Sequence, residues 1–174
     1  MPENYILLER TELNASAASI TFANIPQTGY TDLKVVISTR LDSASGANFH
    51  YIRFNGSTSG YDGRQLYGNG SSAVSASGSG NWGTNYGLAG RGTGASTTAN
   101  TFSNGEIYIP NYGSSNNKSY SYDGTAENNA TLAMAEIVGG IWSNTAPITS
   151  ITLLTPSQTW QQHSTVTLYG IRKY

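Results

Sequence analysis

Asp32-Leu33-Lys34-Val35-Val36-Ile37-Ser38-Thr39-Arg40-Leu41 is the stretch that decides the fold class. In an extended chain Leu33, Val35, Ile37, Thr39 and Leu41 share one face and Lys34, Val36, Ser38 and Arg40 the other, which is the period of a strand with one side buried. Outward from it the same alternation recurs. In residues 19–25, Ile20 and Phe22 oppose Thr21 and Ala23 until Ile25-Pro26-Gln27-Thr28-Gly29 breaks the run. In residues 49–55, Phe49, Tyr51, Arg53 and Asn55 oppose His50, Ile52 and Phe54, and an Asn-Gly pair ends the strand. Further strands are expected at 5–10, 101–109, 118–126, 131–142, 148–154 and 164–172, and only 130–138 also suits a short helix.

Nine or ten short strands, separated by Gly, Pro, Asn and Ser clusters and without a repeat of fixed length, predict an all-β domain. A jelly-roll-like β-sandwich is the expected form, because its crossings between sheets suit the long connections. The 174 residues are expected to make a single domain, with a long Gly/Ser/Asn-rich loop insertion at about 56–100. That segment carries Tyr61, Tyr67, Trp82, Tyr86 and Leu88 at irregular spacing. One reading is a loop ordered by a partner; the other is a pair of hairpins packed on their own sheet.

Composition excludes several functions. Charged residues make up 11% of the chain and the net charge is -1, so no basic stripe exists to neutralise phosphates and nucleic acid is not an expected partner. No run approaches the length of a membrane span, and the start Met-Pro-Glu-Asn-Tyr lacks a basic and apolar leader, so neither membrane nor signal-directed export is expected. Weak self-repulsion permits oligomers. The absence of cysteine removes disulfides, thiolate metal sites and cysteine nucleophiles.

Catalytic patterns are equally sparse. His50 and His163 have no metal-site spacing, and both are expected at polar surface positions. Glu106 and Glu136 lie among apolar residues, where a carboxyl pKa would rise; the expected role is a buried ion pair with an arginine such as Arg40 or Arg53. Gly87-Leu88-Ala89-Gly90-Arg91-Gly92 lacks the strand and helix context of a phosphate loop, and Tyr61-Asp62-Gly63-Arg64 reads as a turn. No catalytic residue, cofactor or metal is expected, and the protein is expected not to be an enzyme. What remains is aromatic: 12 tyrosines, several in polar surroundings, offer rigid contact area with a polar handle. Phe22, Phe54 and Trp142 are assigned to the core, and Tyr61, Tyr67, Trp82 and Tyr86 to contact with a partner.

Three stretches carry a resemblance: Tyr5-Ile6-Leu7-Leu8-Glu9-Arg10; Ile20-Thr21-Phe22-Ala23-Asn24-Ile25-Pro26 leading to Tyr30-Thr31-Asp32-Leu33-Lys34-Val35-Val36; and Ser164-Thr165-Val166-Thr167-Leu168-Tyr169-Gly170-Ile171. Asn104-Gly105-Glu106-Ile107-Tyr108-Ile109-Pro110 and Trp142-Ser143-Asn144-Thr145-Ala146-Pro147-Ile148 also fit. With them the chain resembles small virion structural proteins of tailed bacteriophages, of the kind found on cyanobacterial and marine hosts. The resemblance implies a capsid decoration or cement protein on the outer surface of the head, a homotrimer that bridges subunits of the major capsid protein through the long loop and the termini. The alternative it implies is a tail-fibre or adhesin module recognising host surface glycans. With strands expected from Tyr5 to Arg172 there is no room for a fibre shaft, which favours the capsid.

Overall fold

The computed structural model describes residues 4–77, 84–128 and 133–172, and in these it is all β. Twelve strands form: β1 Tyr5–Glu12, β2 Ser19–Phe22, β3 Tyr30–Thr39, β4 Ala47–Phe54, β5 Tyr61–Gly68, β6 Ala73–Ser77, β7 Gly87–Thr93, β8 Ser103–Ile109, β9 Lys118–Thr125, β10 Ala135–Trp142, β11 Ile151–Leu154 and β12 Thr165–Arg172. Eight of them behave as one long hairpin rolled up on itself. β1 pairs with β12, β2 with β11, β3 with β8 and β4 with β7, all antiparallel, while β12·β3 and β11·β4 close the roll. This is a jelly-roll-like sandwich of two sheets, β1-β12-β3-β8 facing β2-β11-β4-β7.

Two hairpins extend the first sheet. β9–β10 enters between β8 and β11, and β5–β6 enters between β4 and β7; β10 pairs with β5, so the larger sheet runs β1-β12-β3-β8-β9-β10-β5-β6. Within 56–100, expected to be a long loop insertion, the described residues form the β5–β6 hairpin, which extends the larger sheet, and β7, a strand of the roll itself. Tyr61-Asp62-Gly63-Arg64 is not a turn but the start of β5, in register with Trp142 back to Gly139. Of 130–138, where a short helix was the other expectation, 130–132 lie outside the described residues and 135–138 are strand, the start of β10.

The alternation expected of the chain sets the core. Leu33, Val35, Ile37 and Thr39 of β3 are buried, and so are His50, Ile52 and Phe54 of β4. Across the sandwich they meet Phe22, Ile107, Ile151, Leu153, Val166 and Leu168 in one cluster. The Asn-Gly pair turns the chain as its residues predict, with φ of 53° at Asn55 and 66° at Gly56. His50 departs from expectation: it is a core residue, 1% exposed, with Nε2 3.2 Å from the Thr39 hydroxyl and its ring edge-on to Trp160. Apolar neighbours on both flanks of its strand pull the imidazole inward. His163 is exposed, as expected, 3.8 Å from Glu12.

Under the β9–β10 extension the core changes chemistry. Here tyrosine rings lie over glycines: a Cβ on Gly87 or Gly140 would collide with Tyr120, and one on Gly90, Gly105 or Gly124 with Tyr122. The missing side chains make room for the rings, which explains why so many strand positions are glycine. Tyr120 and Tyr122, each 3% exposed, thereby pack the extension onto β7.

Candidate functional site

The expected contact residues part company in the structure. Tyr61 is corrected to a core residue: it is 3% exposed, its ring stacks on Trp142, and the Phe54 N–H donates to its hydroxyl at 2.8 Å. Burial pushes its pKa up to about 12, against the pull of that hydrogen bond. No partner reaches it. Trp82 lies outside the described residues. Tyr67 and Tyr86 are half-buried and belong to one row of rings and cations.

β4 sets this row, because Phe49, Tyr51 and Arg53 alternate with the buried His50, Ile52 and Phe54 and so point out of the smaller sheet. Tyr86 comes over Tyr51, with ring centroids 4.2 Å apart, and the Arg53 guanidinium lies 5.5 Å from the Tyr86 ring. Arg53 also donates from Nε to the Asn85 carbonyl at 3.1 Å. At the other end Arg91 is held between two rings, 4.3 Å from Phe49 and 4.4 Å from Tyr67. Burial, with Tyr86 as a lesser cause, pushes Tyr51 up to about 12, so its hydroxyl stays protonated and able to donate.

Arg91 links the row to the one deeply buried carboxylate of the site. Glu136 sits with its side chain 2% exposed, 4.0 Å from Arg91 Nε, and accepts a hydrogen bond from Gln65 Nε2. Burial raises its pKa although Arg91 and Gln65 oppose the shift. The ion pair expected of Glu136 exists, but with Arg91 instead of Arg40 or Arg53. Arg40 is buried and spends its guanidinium on the carbonyls of Ala95, Thr97, Thr98 and Thr101. Glu106 is not buried: it is an exposed partner of Lys34 at 2.6 Å. This buried carboxyl ties β10 to β5 through Gln65 and to β7 through the charge of Arg91.

An exposed apolar surface lies elsewhere, on the outer face of the larger sheet. Tyr5, Leu7, Leu66, Tyr108, Ile137 and Ile141 are the exposed large apolar side chains of the described surface, between 38% and 56% exposed, and all six stand on that face. The registers arrange them in rows across the strands. One row reads Val36, Glu106, Asp123, Ile137, Leu66, Ser75; the next reads Lys34, Tyr108, Ser121, Gly139, Arg64, Ser77. Gly139 leaves a gap in the second row, and there a groove opens between Ile137, Leu66, Arg64, Ser121 and Asp123. Sequence reasoning missed this surface. The alternation of Ile137, Gly139 and Ile141 with Glu136, Val138 and Trp142 was legible as a strand, but which side met solvent depends on the β5 and β9 neighbours.

No family model and no curated protein matches the chain. Among solved structures, the crystal structure of exo-inulinase from Aspergillus awamori is similar over 96% of this chain and 29% of its own, at 14% identity and a TM-score of 0.48. At that score the likeness carries no argument, and the chain spans less than a third of the enzyme's length.

Proposed function

We propose that this domain is a virion structural protein of a tailed bacteriophage, a decoration protein that lies on the outside of the capsid and holds subunits of the major capsid protein together, as a homotrimer. One observation supports the reading beyond the sequence resemblance: the exposed large apolar side chains of the described surface all stand on the outer face of the eight-stranded sheet. A soluble monomer rarely leaves such a patch to water, and covering it by another protein is its usual use. Eight strands give the face the breadth to span a seam between subunits.

The mechanism is linkage. A clamp that binds the assembled lattice and not separated subunits stabilises the lattice by its binding free energy, about 2.7 kcal/mol per site when free clamp is at one hundred times its dissociation constant. Few charges and an apolar contact mean that salt weakens the clamp little. Particles with the protein are expected to release DNA at a higher temperature than particles without it, and to survive osmotic shock better, in low and high salt alike. Equal release from both kinds of particle would end the reading.

The row of Phe49, Tyr51 and Tyr86 beside Arg53 supports a second reading, an adhesin that binds host glycans, since such faces stack on sugar rings while cations and hydroxyls bond the rim. Under it, Tyr86→Ala and Tyr51→Ala each weaken binding to host surface glycans about tenfold or more, the loss of a contact worth about 1.4 kcal/mol. Unchanged glycan binding in both variants, or none by the wild type, removes it.

A further inference from the structure

Asp123 breaks a rule of sheet pairing. In register it stands directly opposite Glu106, and two like charges at that spacing destabilise the sheet. The other carboxylates nearby are compensated: Glu106 by Lys34 at 2.6 Å, Asp32 by the Tyr108 hydroxyl at 2.9 Å and the Asn111 N–H at 2.8 Å, and Asp62 by Arg64 at 3.7 Å. Among the described residues the Asp123 carboxylate has no hydrogen-bond donor and no ion-pair partner. Its two neighbours along the row on the far side are Ile137 and Leu66, and it forms the wall shared by the groove over Gly139 and the groove beside Glu106 and Val36. An unpaired anion at the rim of an apolar groove has the complement of one kind of side chain, an aliphatic stem ending in a cation.

We propose that this groove is the docking site for a lysine or arginine presented by the protein surface that the domain covers, its stem lying along Ile137 and Leu66 and its charge meeting Asp123. The inference rests on the decoration reading and names the chemistry of its partner. A second copy of the same face would have to give up an ion pair to supply the cation, because Lys34, Arg64 and Arg10 are paired there with Glu106, Asp62 and Glu12. Tyr122 is the one aromatic residue along the groove and its ring is buried in the core beneath it, so a sugar would find no ring face there to stack on. The like-charge contact with Glu106 is then a cost retained in the free protein and relieved when the partner arrives, the signature of a residue kept for binding and not for folding.

That signature is the test. Purified wild-type protein and the variants Asp123→Asn, Asp123→Lys and Ile137→Ser are added to particles that lack the protein, and occupancy is followed by co-sedimentation, with Gln162→Lys, an exposed loop substitution, as control. Asp123→Asn is expected to melt at or above the wild-type temperature yet bind about tenfold more weakly, and Asp123→Lys about a hundredfold more weakly, in line with couplings of close interfacial charges. Ile137→Ser is expected to bind about tenfold more weakly, and Gln162→Lys like the wild type. If the wild type binds and the Asp123 variants bind equally well, the docking proposal falls while the decoration reading stands. If the wild type does not bind particles at all, the decoration reading falls and the proposal with it. Self-association of the wild type that Ile137→Ser abolishes, with particle binding unchanged, would assign the groove to a second copy and overturn the proposal. Displacement from particles by free host glycan, with Asp123→Lys unaffected, would overturn it likewise.

Discussion

Gly90→Ala is expected to abolish the cooperative fold. Gly90 has φ of +87°, and a Cβ there would sit 2.0 Å from Cζ of Tyr122. The ring has nowhere to go, since it already fills the space over Gly105 and Gly124, where added Cβ atoms would lie 2.4 Å and 2.1 Å from it. Either β7 leaves the sandwich or Tyr122 leaves the core. Substitutions of this class cost more than about 4 kcal/mol, a large share of the roughly 5–15 kcal/mol by which domains are stable. Gly29→Ala isolates the backbone part: Gly29 has the same φ of +87° with nothing within 4 Å of its would-be Cβ, so it costs only the left-handed conformation, about 1–2 kcal/mol. Urea unfolding followed by tryptophan fluorescence compares the two. In a Tyr122→Ala background Gly90→Ala should fall to the cost of Gly29→Ala, a coupling that marks direct contact. Equal costs for Gly90→Ala and Gly29→Ala in the wild-type background would show that the Tyr122 contact does not hold β7 in place.

That packing also marks where the sequence stops being legible. β3 and β4 declare themselves because each buries one face of an unbroken alternation, and the Asn55-Gly56 turn because two residues alone provide its backbone. β7 does not declare itself. Gly-Leu-Ala-Gly-Arg-Gly has the composition of a loop, and its glycines make sense only when Tyr120 is laid across Gly87, Tyr122 across Gly90 and His50 across Gly92. The local rule that glycine weakens strands is overridden by a tertiary contact.

The site was legible to a smaller degree. Tyr67 and Tyr86 face a cation-lined row as surplus aromatics suggest, but Tyr61 differs from them only in meeting Trp142 and the Phe54 amide inside the sandwich, contacts made across the fold. Glu136 was readable as a buried acid from its apolar flanks, while its partner Arg91 sat in the segment taken for a loop. The outer face is a different case. Leu66 and Ile137 look like core residues one by one, and only the pairing of β5 with β10 puts both on the solvent side. Burial of one face of β10 forces the other outward, and the sequence does not say that no further layer covers it.

Acid is expected to destabilise the domain through His50. Burial holds this imidazole at about 3, far below its ordinary 6.5; Nε2 contacts the Thr39 hydroxyl and Nδ1 has no partner, so an added proton has no acceptor. Between those two values the unfolded chain binds a proton that the folded chain refuses. Stability is therefore complete above 6.5 and is lost as pH falls towards 3, at a limiting slope of about 1.4 kcal/mol per pH unit. Glu136 acts with the opposite sign. Its folded pKa is raised above 4.5, so from 4.5 up to the raised value the folded chain keeps a proton the unfolded chain has released, and stability falls as pH rises through that interval. The two slopes oppose each other there, and below 4.5 His50 acts without that opposition. Stability should thus decline as pH falls below 6.5, level off between the raised Glu136 value and 4.5, and decline again below 4.5. Urea midpoints measured across this range separate the two groups. Glu136→Gln should remove the opposing slope and leave the full His50 decline from 6.5 downward, whereas His50→Gln should start from a lower stability and gain stability as pH falls through the Glu136 interval. A His50→Gln variant that loses stability with acid as steeply as the wild type would place the acid-sensitive group elsewhere in the fold.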